Sequence, residues 1–213
     1  TTAGTDATPT GAANAMVTME GSVTVESDKL ERKLDTSYFG ANPFVLIGKR
    51  ATVEFDFDLL GASTVGNAAP CAPILKSCGM AETLVASTSA TYNPVNAGST
   101  ATIYFYQSGL LFKITYAVGT IDIDFTVKQW PKAHAKYMGI ISPAAPTEVA
   151  APAVTLTAFQ VPPAVETETF LLACNAVTLN ATSFKLSQGN EVKVYEGSEA
   201  RMVGIGDRNA TGS

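Results

Sequence analysis

Alternation of apolar and polar residues is the clearest pattern in this chain of 213 residues. From Thr52 to Leu59 the sequence reads TVEFDFDL, and from Thr120 to Val127 it reads TIDIDFTV. Strict alternation places the apolar side chains on one face of a β-strand and the polar ones on the other. Both segments are therefore predicted to be strands that bury one face.

Other parts of the chain also favour strands. Residues 101–106 and 110–117 flank Gln107-Ser108-Gly109 and predict a hairpin, which Gly119 is expected to separate from the strand at 120–127. Together these strands should form an antiparallel meander. Weaker strand candidates are 18–26, 44–48, 153–159, 169–173, 182–186, 191–195 and 202–205.

One segment, residues 72–84, is the best candidate for a helix. Ile74, Leu75 and Cys78 lie on one stripe at helical spacing, although Gly79 interrupts the middle. The pattern as a whole predicts a mainly β protein, an antiparallel β-sandwich or barrel-like sheet with one flanking helix.

A short phrase occurs twice. Val45–Arg50 reads VLIGKR and Val203–Arg208 reads VGIGDR, and the residues upstream of each copy are also similar. The repeat suggests a fold duplicated in tandem, whose similar surfaces would contact other copies of the chain. The proline-rich connection at 142–152 is the most natural boundary.

The repeat and the connection divide the chain into an N-terminal arm at 1–15, a first β-domain at 16–142 and a second, related β-domain at 143–213. The first copy of the phrase is followed by a regular strand, whereas only five residues follow the second copy. We therefore expect further sequence after Ser213. Thr1 is not an initiator residue, so we also expect the start to be trimmed or incomplete.

Composition narrows the function classes. Charged residues make up 15% of the chain, the net charge is −5 and the isoelectric point is near 4.9. This balance argues against a protein that holds nucleic acid by neutralising phosphates. The sequence shows neither a membrane-spanning apolar run nor an N-terminal signal peptide.

Cysteine and histidine usage indicates no metal centre. Cys71, Cys78 and Cys174 have no CxxC spacing, and the one histidine, His134, lies far from all three. Buried free thiols in a reducing cytoplasm are the simplest interpretation. His134 lacks a neighbouring nucleophile and is expected in an exposed loop, so we predict no enzyme and no cofactor. Trp130 is expected either as an exposed interface anchor or at the end of a strand packed in the core, and we favour the second.

Carboxylates follow the polar faces of the two alternating strands, and these are Glu54, Asp56, Asp58, Asp122 and Asp124. A solvated strand face is the simplest interpretation. A sharper one is that this face lines the lumen of a tube, where negative charge would repel DNA phosphates. Paired catalytic carboxylates and a calcium site are further alternatives.

The ordered series of segments resembles the tail tube (major tail) proteins of long-tailed, non-contractile bacteriophages, in particular those of Mu-like siphophages and prophages. The resemblance covers nearly the whole chain, and no single motif is diagnostic. It rests on TTAGTDATPTGAANA, ANPFVLIGKRATVEFDFDLLG, APILKSCGMAETL, TYNP, STATIYFYQSGLLFKITYAVGTIDIDF, PAVTLTAFQVP and VGIGDRNATGS.

This resemblance implies a structural virion protein that assembles in the bacterial cytoplasm into stacked rings around a hollow conduit for genome ejection. The tandem repeat favours trimeric rings with pseudo-sixfold symmetry over hexameric rings. The implied partners are other copies of the chain and the tape-measure, tail terminator and distal tail proteins. Viral DNA would pass through without specific binding. The arm at 1–15 and the polar segments 61–70 and 86–99 are candidate contacts between rings.

Two other classes stay open on sequence alone. An extracellular β-sandwich that binds or adheres fits the content of threonine, alanine and valine, but it should show a signal peptide and paired cysteines. A hydrolase on a β scaffold needs convergent catalytic groups, which one histidine and scattered acids do not supply.

Overall fold

A computed structural model describes residues 4–32, 42–96, 98–142, 144–166, 172–174, 176–178, 180–197 and 201–213. These residues are mainly in β-strands, as predicted. The strands are β1 Met19–Glu31, β2 Phe44–Asp58, β3 Met80–Val85, β4 Ser89–Pro94, β5 Ala101–Gln107, β6 Leu110–Thr126, β7 Lys132–Ile141, β8 Thr147–Glu148, β9 Ala173–Cys174, β10 Val177–Thr178, β11 Ser183–Ser187, β12 Asn190–Glu196, β13 Arg201–Arg208 and β14 Thr211–Gly212. The helices are α1 Gly11–Asn14 and α2 Ala72–Ser77.

One large antiparallel sheet organises the fold. Its strand order is β1-β2-β7-β6-β11-β14, and β5 and β8 also pair with β6. Among the described residues, three two-stranded sheets, β3–β4, β9–β10 and β12–β13, lie outside this sheet. The sheet curls so far that β1 approaches β5, since a side chain added at Gly21 would meet the ring of Phe105 at 3.0 Å. The prediction of an antiparallel, mainly β fold is confirmed.

The core lies on the inner face of this sheet, against α2. Burial alternates along β2 and β7, as period-two strands with one dry face require. Helix α2 contributes Ile74, Leu75 and Cys78 to the same cluster. The largest fully buried side chains on the sheet are Tyr137, Phe57, Ile114, Ile121 and Val53.

Helix α2 is much shorter than the predicted segment 72–84. It ends at Ser77, and Met80–Val85 is strand β3. The cause is Gly79, whose φ of +78° leaves the right-handed helical region. The amide of Gly79 closes the last turn by donating to the Lys76 carbonyl at 3.2 Å.

The predicted hairpin at 101–117 is confirmed, but the expected break at Gly119 is wrong. Strand β6 runs without interruption for 17 residues, so the last two strands of the expected meander are one strand. A bulge between Thr115 and Val118 takes up the irregularity, with Tyr116 at a φ of +54°. Glycine is required at 119 because a Cβ there would lie 2.7 Å from the Lys136 carbonyl oxygen.

Several other predictions need correction. The predicted strand at 153–159 is irregular. Trp130 is not packed in the core, because it is 54% exposed. His134 lies in β7 rather than in a loop. Residues 169–171 of the candidate at 169–173 lie outside the described residues.

The thiols of Cys71 and Cys78 are free and buried, as predicted. Burial raises the pKa of Cys78 to about 12, so this thiol stays protonated and unreactive at neutral pH. The side chain of Cys174 lies outside the described part of the chain.

Both copies of the repeated phrase lie in strands of antiparallel hairpins. Val45–Arg50 is part of β2 and pairs with β1, whereas Val203–Arg208 is part of β13 and pairs with β12. The hairpins touch where Arg201 Nη1 donates to the Lys49 carbonyl at 3.1 Å. Strand β11 follows the 142–152 connection yet joins the large sheet beside β6. The division into two related domains stays a prediction.

Candidate functional site: the charged face of the large sheet

All five predicted acidic residues meet on the outer face of the large sheet. In the register of β2 and β7, Glu54 lies opposite Lys136, Asp56 opposite His134 and Asp58 opposite Lys132. On the other side of β7, His134 lies opposite Asp122 and Lys132 opposite Asp124. The register therefore places β7 cations between two rows of carboxylates.

Ion pairs connect these rows. Lys136 Nζ lies 2.6 Å from Glu54 Oε1, and His134 Nδ1 lies 2.6 Å from Asp56 Oδ1. On the far side, β11 places Lys185 Nζ 2.9 Å from Asp124 Oδ2. We call this set the charge ladder, and it consists of Glu54, Asp56, Asp58, Asp122, Asp124, Lys132, His134, Lys136 and Lys185.

The sequence alone indicated the acids but not their cationic partners. Strand β7 reads KAHAKYMGII, in which charged residues alternate with alanine instead of large apolar residues. Ala133 and Ala135 are fully buried, so the strand does alternate between buried and exposed residues, but its buried residues are small. A strict count of alternation at Lys132, His134 and Lys136 would have found it.

The lysines of the ladder stabilise the charged form of their carboxylate partners. The hydrogen bond from Lys136 lowers the pKa of Glu54, and that from Lys185 lowers the pKa of Asp124. Each of these pairs is substantially exposed, so it stabilises the fold by less than about 1 kcal/mol. A lowered carboxyl pKa gives a contribution that is complete above the unfolded-state value and is lost as pH falls through the folded-state value.

The two ion pairs can be separated by a crossed pair of substitutions. Lys136→Gln should raise the pKa of Glu54 and leave that of Asp124 unchanged, whereas Lys185→Gln should do the reverse. Carboxyl carbon chemical shifts in an NMR titration measure both groups in the same sample. If either substitution moved both pKa values equally, the ladder would be acting through a diffuse field instead of local pairs.

Within the described residues, no group of three or more histidine, cysteine, aspartate or glutamate side chains is placed to hold a metal ion. The His134–Asp56 pair lies on an open, solvated face, with side chains 44% and 36% exposed. The ladder is therefore a surface of alternating charge.

A second unusual surface is the far half of the β1–β2 hairpin. Register with β7 begins only at Arg50, so residues 44–47 of β2 pair with β1 alone. Four successive apolar residues there leave both faces of the ribbon apolar, a pattern that normally indicates burial on both sides. We call the exposed apolar residues of this hairpin the apolar arm, and they are Val25, Leu30, Phe44, Val45, Leu46 and Ile47, each between 44% and 63% exposed.

The described part of the predicted N-terminal arm lies on its own subunit. Tyr104 donates a hydrogen bond to Asp6 Oδ2 at 2.6 Å, and the amide of Ala7 donates to Thr102 Oγ1 at 3.2 Å. The bond from Tyr104 lowers the pKa of Asp6. Residues 4–8 therefore cover strand β5, and their role between rings stays a prediction.

No protein-family profile matches the chain, and no curated protein matches it significantly. Among the described residues, neither helix is long and apolar enough to cross a membrane. The function therefore rests on the chemistry of the surfaces described above.

Proposed function

We propose that this chain is a structural virion protein that self-assembles into stacked rings, which form the hollow tail tube of a long-tailed phage and conduct its genome during ejection. The observation that carries the proposal is the apolar arm. The resemblance of the ordered segments to phage tail tube proteins supports it.

The apolar arm favours contact with another copy of the chain. Its six side chains expose apolar groups on both faces of the ribbon, and grouped exposed apolar residues mark interaction surfaces. The arm extends past the sheet, so it would meet a different surface on its neighbour. Contacts of this heterologous kind close into rings or continue as filaments. A tube of stacked rings has both kinds of contact, one that closes each ring and one that continues from ring to ring.

The charge ladder fits a lumen wall through which DNA passes without binding. Its five carboxylates outnumber its three lysines, which leaves a net charge of 3 − 5 = −2 with His134 neutral. Each of Lys136 and Lys185 already pairs with a carboxylate of its own chain. Few cations are left to hold phosphates, so the surface should repel DNA weakly along its length.

The two hairpins that carry the repeated phrase favour trimeric rings with pseudo-sixfold symmetry, and hexameric rings are the alternative. Tape-measure, tail terminator and distal tail proteins would contact the completed tube. The tail of the virion is then the place of action, after assembly in the host cytoplasm.

Electron microscopy of the purified protein tests the proposal. We expect rings and tubes whose abundance increases with protein concentration, and a reconstruction should show the charge ladder on the lumen wall. Dispersed monomers at every concentration would contradict the tube and favour a binding module. Tubes with the charge ladder on the outer wall would contradict only the proposal that the ladder lines the lumen.

A further inference from the structure

A separate cavity of about 290 Å³ lies at the end of β2, beside the charge ladder. It combines a carboxylate and an exposed indole within a mainly apolar wall. Its volume lies at the lower limit of ligand cavities, which suits a small group better than a drug-sized molecule. The lining residues are Val17, Met19, Asp58, Leu60, Trp130, Phe159, Gln160, Val161 and Pro162.

Asp58 is the unusual member of the charge ladder. Its Oδ1 is buried and has no hydrogen-bond partner within the described part of the chain. Glu54 and Asp124 each have a lysine partner within 3 Å, Asp56 has a hydrogen-bond partner in His134, and Asp122 accepts a hydrogen bond from Ser187. Among the described residues Asp58 forms no ion pair, not even with Lys132 opposite it. A carboxylate held against an apolar wall without a partner favours a cation from outside.

The aromatic and aliphatic side chains determine which cation fits. Trp130 is 54% exposed, and Phe159 lines the same cavity. Aromatic faces attract organic cations, and a planar guanidinium both stacks on an indole and donates to a carboxylate. A hard metal ion would require several oxygen ligands, but this wall supplies mainly carbon.

We propose that this cavity binds an arginine side chain of a second protein chain, with its guanidinium between Asp58 and Trp130 and its aliphatic stem against Met19 and Leu60. The proposal rests on the cavity and not on the tube, because a single folded subunit contains the whole site.

Trp130 is the sole tryptophan, so its fluorescence reports on this cavity directly. We expect acetyl-arginine methylamide to change the emission in a saturable way. Acetyl-citrulline methylamide, which has nearly the same shape but no charge, should bind about tenfold more weakly or not at all, since it lacks the charge-assisted hydrogen bond to Asp58.

Substitution of the carboxylate supplies the second arm of the test. Asp58→Asn should lower the affinity for the arginine analogue about tenfold, whereas the matched control Asp124→Asn should bind the analogue with the wild-type affinity. Equal affinity for arginine and citrulline analogues would overturn the proposal, as would an unchanged Asp58→Asn variant. The comparison of the two analogues uses the wild-type protein, so it stands even if a variant fails to fold. A negative result in this test would not contradict the proposed assembly into rings.

Discussion

Replacing Phe44, Val45 and Leu46 with serine, threonine and serine is expected to abolish rings and tubes while the subunit stays folded. These side chains are 54%, 63% and 50% exposed in the isolated chain, so each substitution should change the free energy of unfolding by no more than about 0.5 kcal/mol. In the tube they would be buried against a neighbour, where their apolar area stabilises assembly. Multi-angle light scattering and electron microscopy measure the oligomer, and thermal unfolding measures the subunit.

The matched control removes similarly exposed apolar groups elsewhere. Val154→Thr with Val177→Thr changes two side chains that are 56% and 60% exposed and lie outside the arm. This double variant should assemble normally. If the arm variant also formed normal tubes, the apolar arm would not be an assembly surface. The proposal that the chain assembles into a tail tube would then lose its main support.

The two arginines of the repeated phrase should differ greatly in their effect on stability. Arg208→Met should lower the free energy of unfolding by about 2 to 3 kcal/mol, because it leaves the buried side-chain oxygen of Asn190 without its donor. Arg208 donates from Nε to Asn190 Oδ1 at 2.7 Å and from Nη2 to the carbonyls of Gly79 and Val95 at 3.1 and 3.2 Å. Asn190 in turn donates to the Cys78 carbonyl at 2.7 Å, so this network holds the end of α2.

Arg50→Met is the internal control, because this arginine occupies the same place in the first copy of the phrase. Arg50 pairs with Glu26 and Asp28, whose side chains are 51% and 57% exposed. Exposed pairs of this kind are worth at most about 1 kcal/mol. Urea denaturation of both variants gives the comparison. Equal losses would mean that the network around Arg208 contributes no more than a surface ion pair.

The contrast between these arginines shows what sequence similarity could predict. The phrase correctly indicated two strands, since alternation is a local property of the backbone. It could not indicate that one arginine reaches the end of α2 while the other stays at the surface. That difference depends on Asn190, Gly79 and Val95, which are distant in sequence and meet only in the fold.

The charge ladder was half predictable for a similar reason. The face shared by Glu54, Asp56 and Asp58 follows from strand periodicity, and so does the face shared by Asp122 and Asp124. Pairing of both strands with β7 followed from nothing in the local pattern, because alanines carried the buried face of that strand. Without β7 the acids formed two unconnected stripes, and their lysine partners could not be identified.

The sequence by itself determined the mainly β class, the two alternating strands, the hairpin at 101–117 and the acidity of one strand face. These are consequences of backbone geometry and of the period of two in side-chain direction. Only the tertiary structure decided the end of α2 at Ser77, the continuity of β6, the lysines between the carboxylates and the exposure of the apolar arm. Each of these depends on strand register and on contacts between distant residues, which a local pattern does not encode.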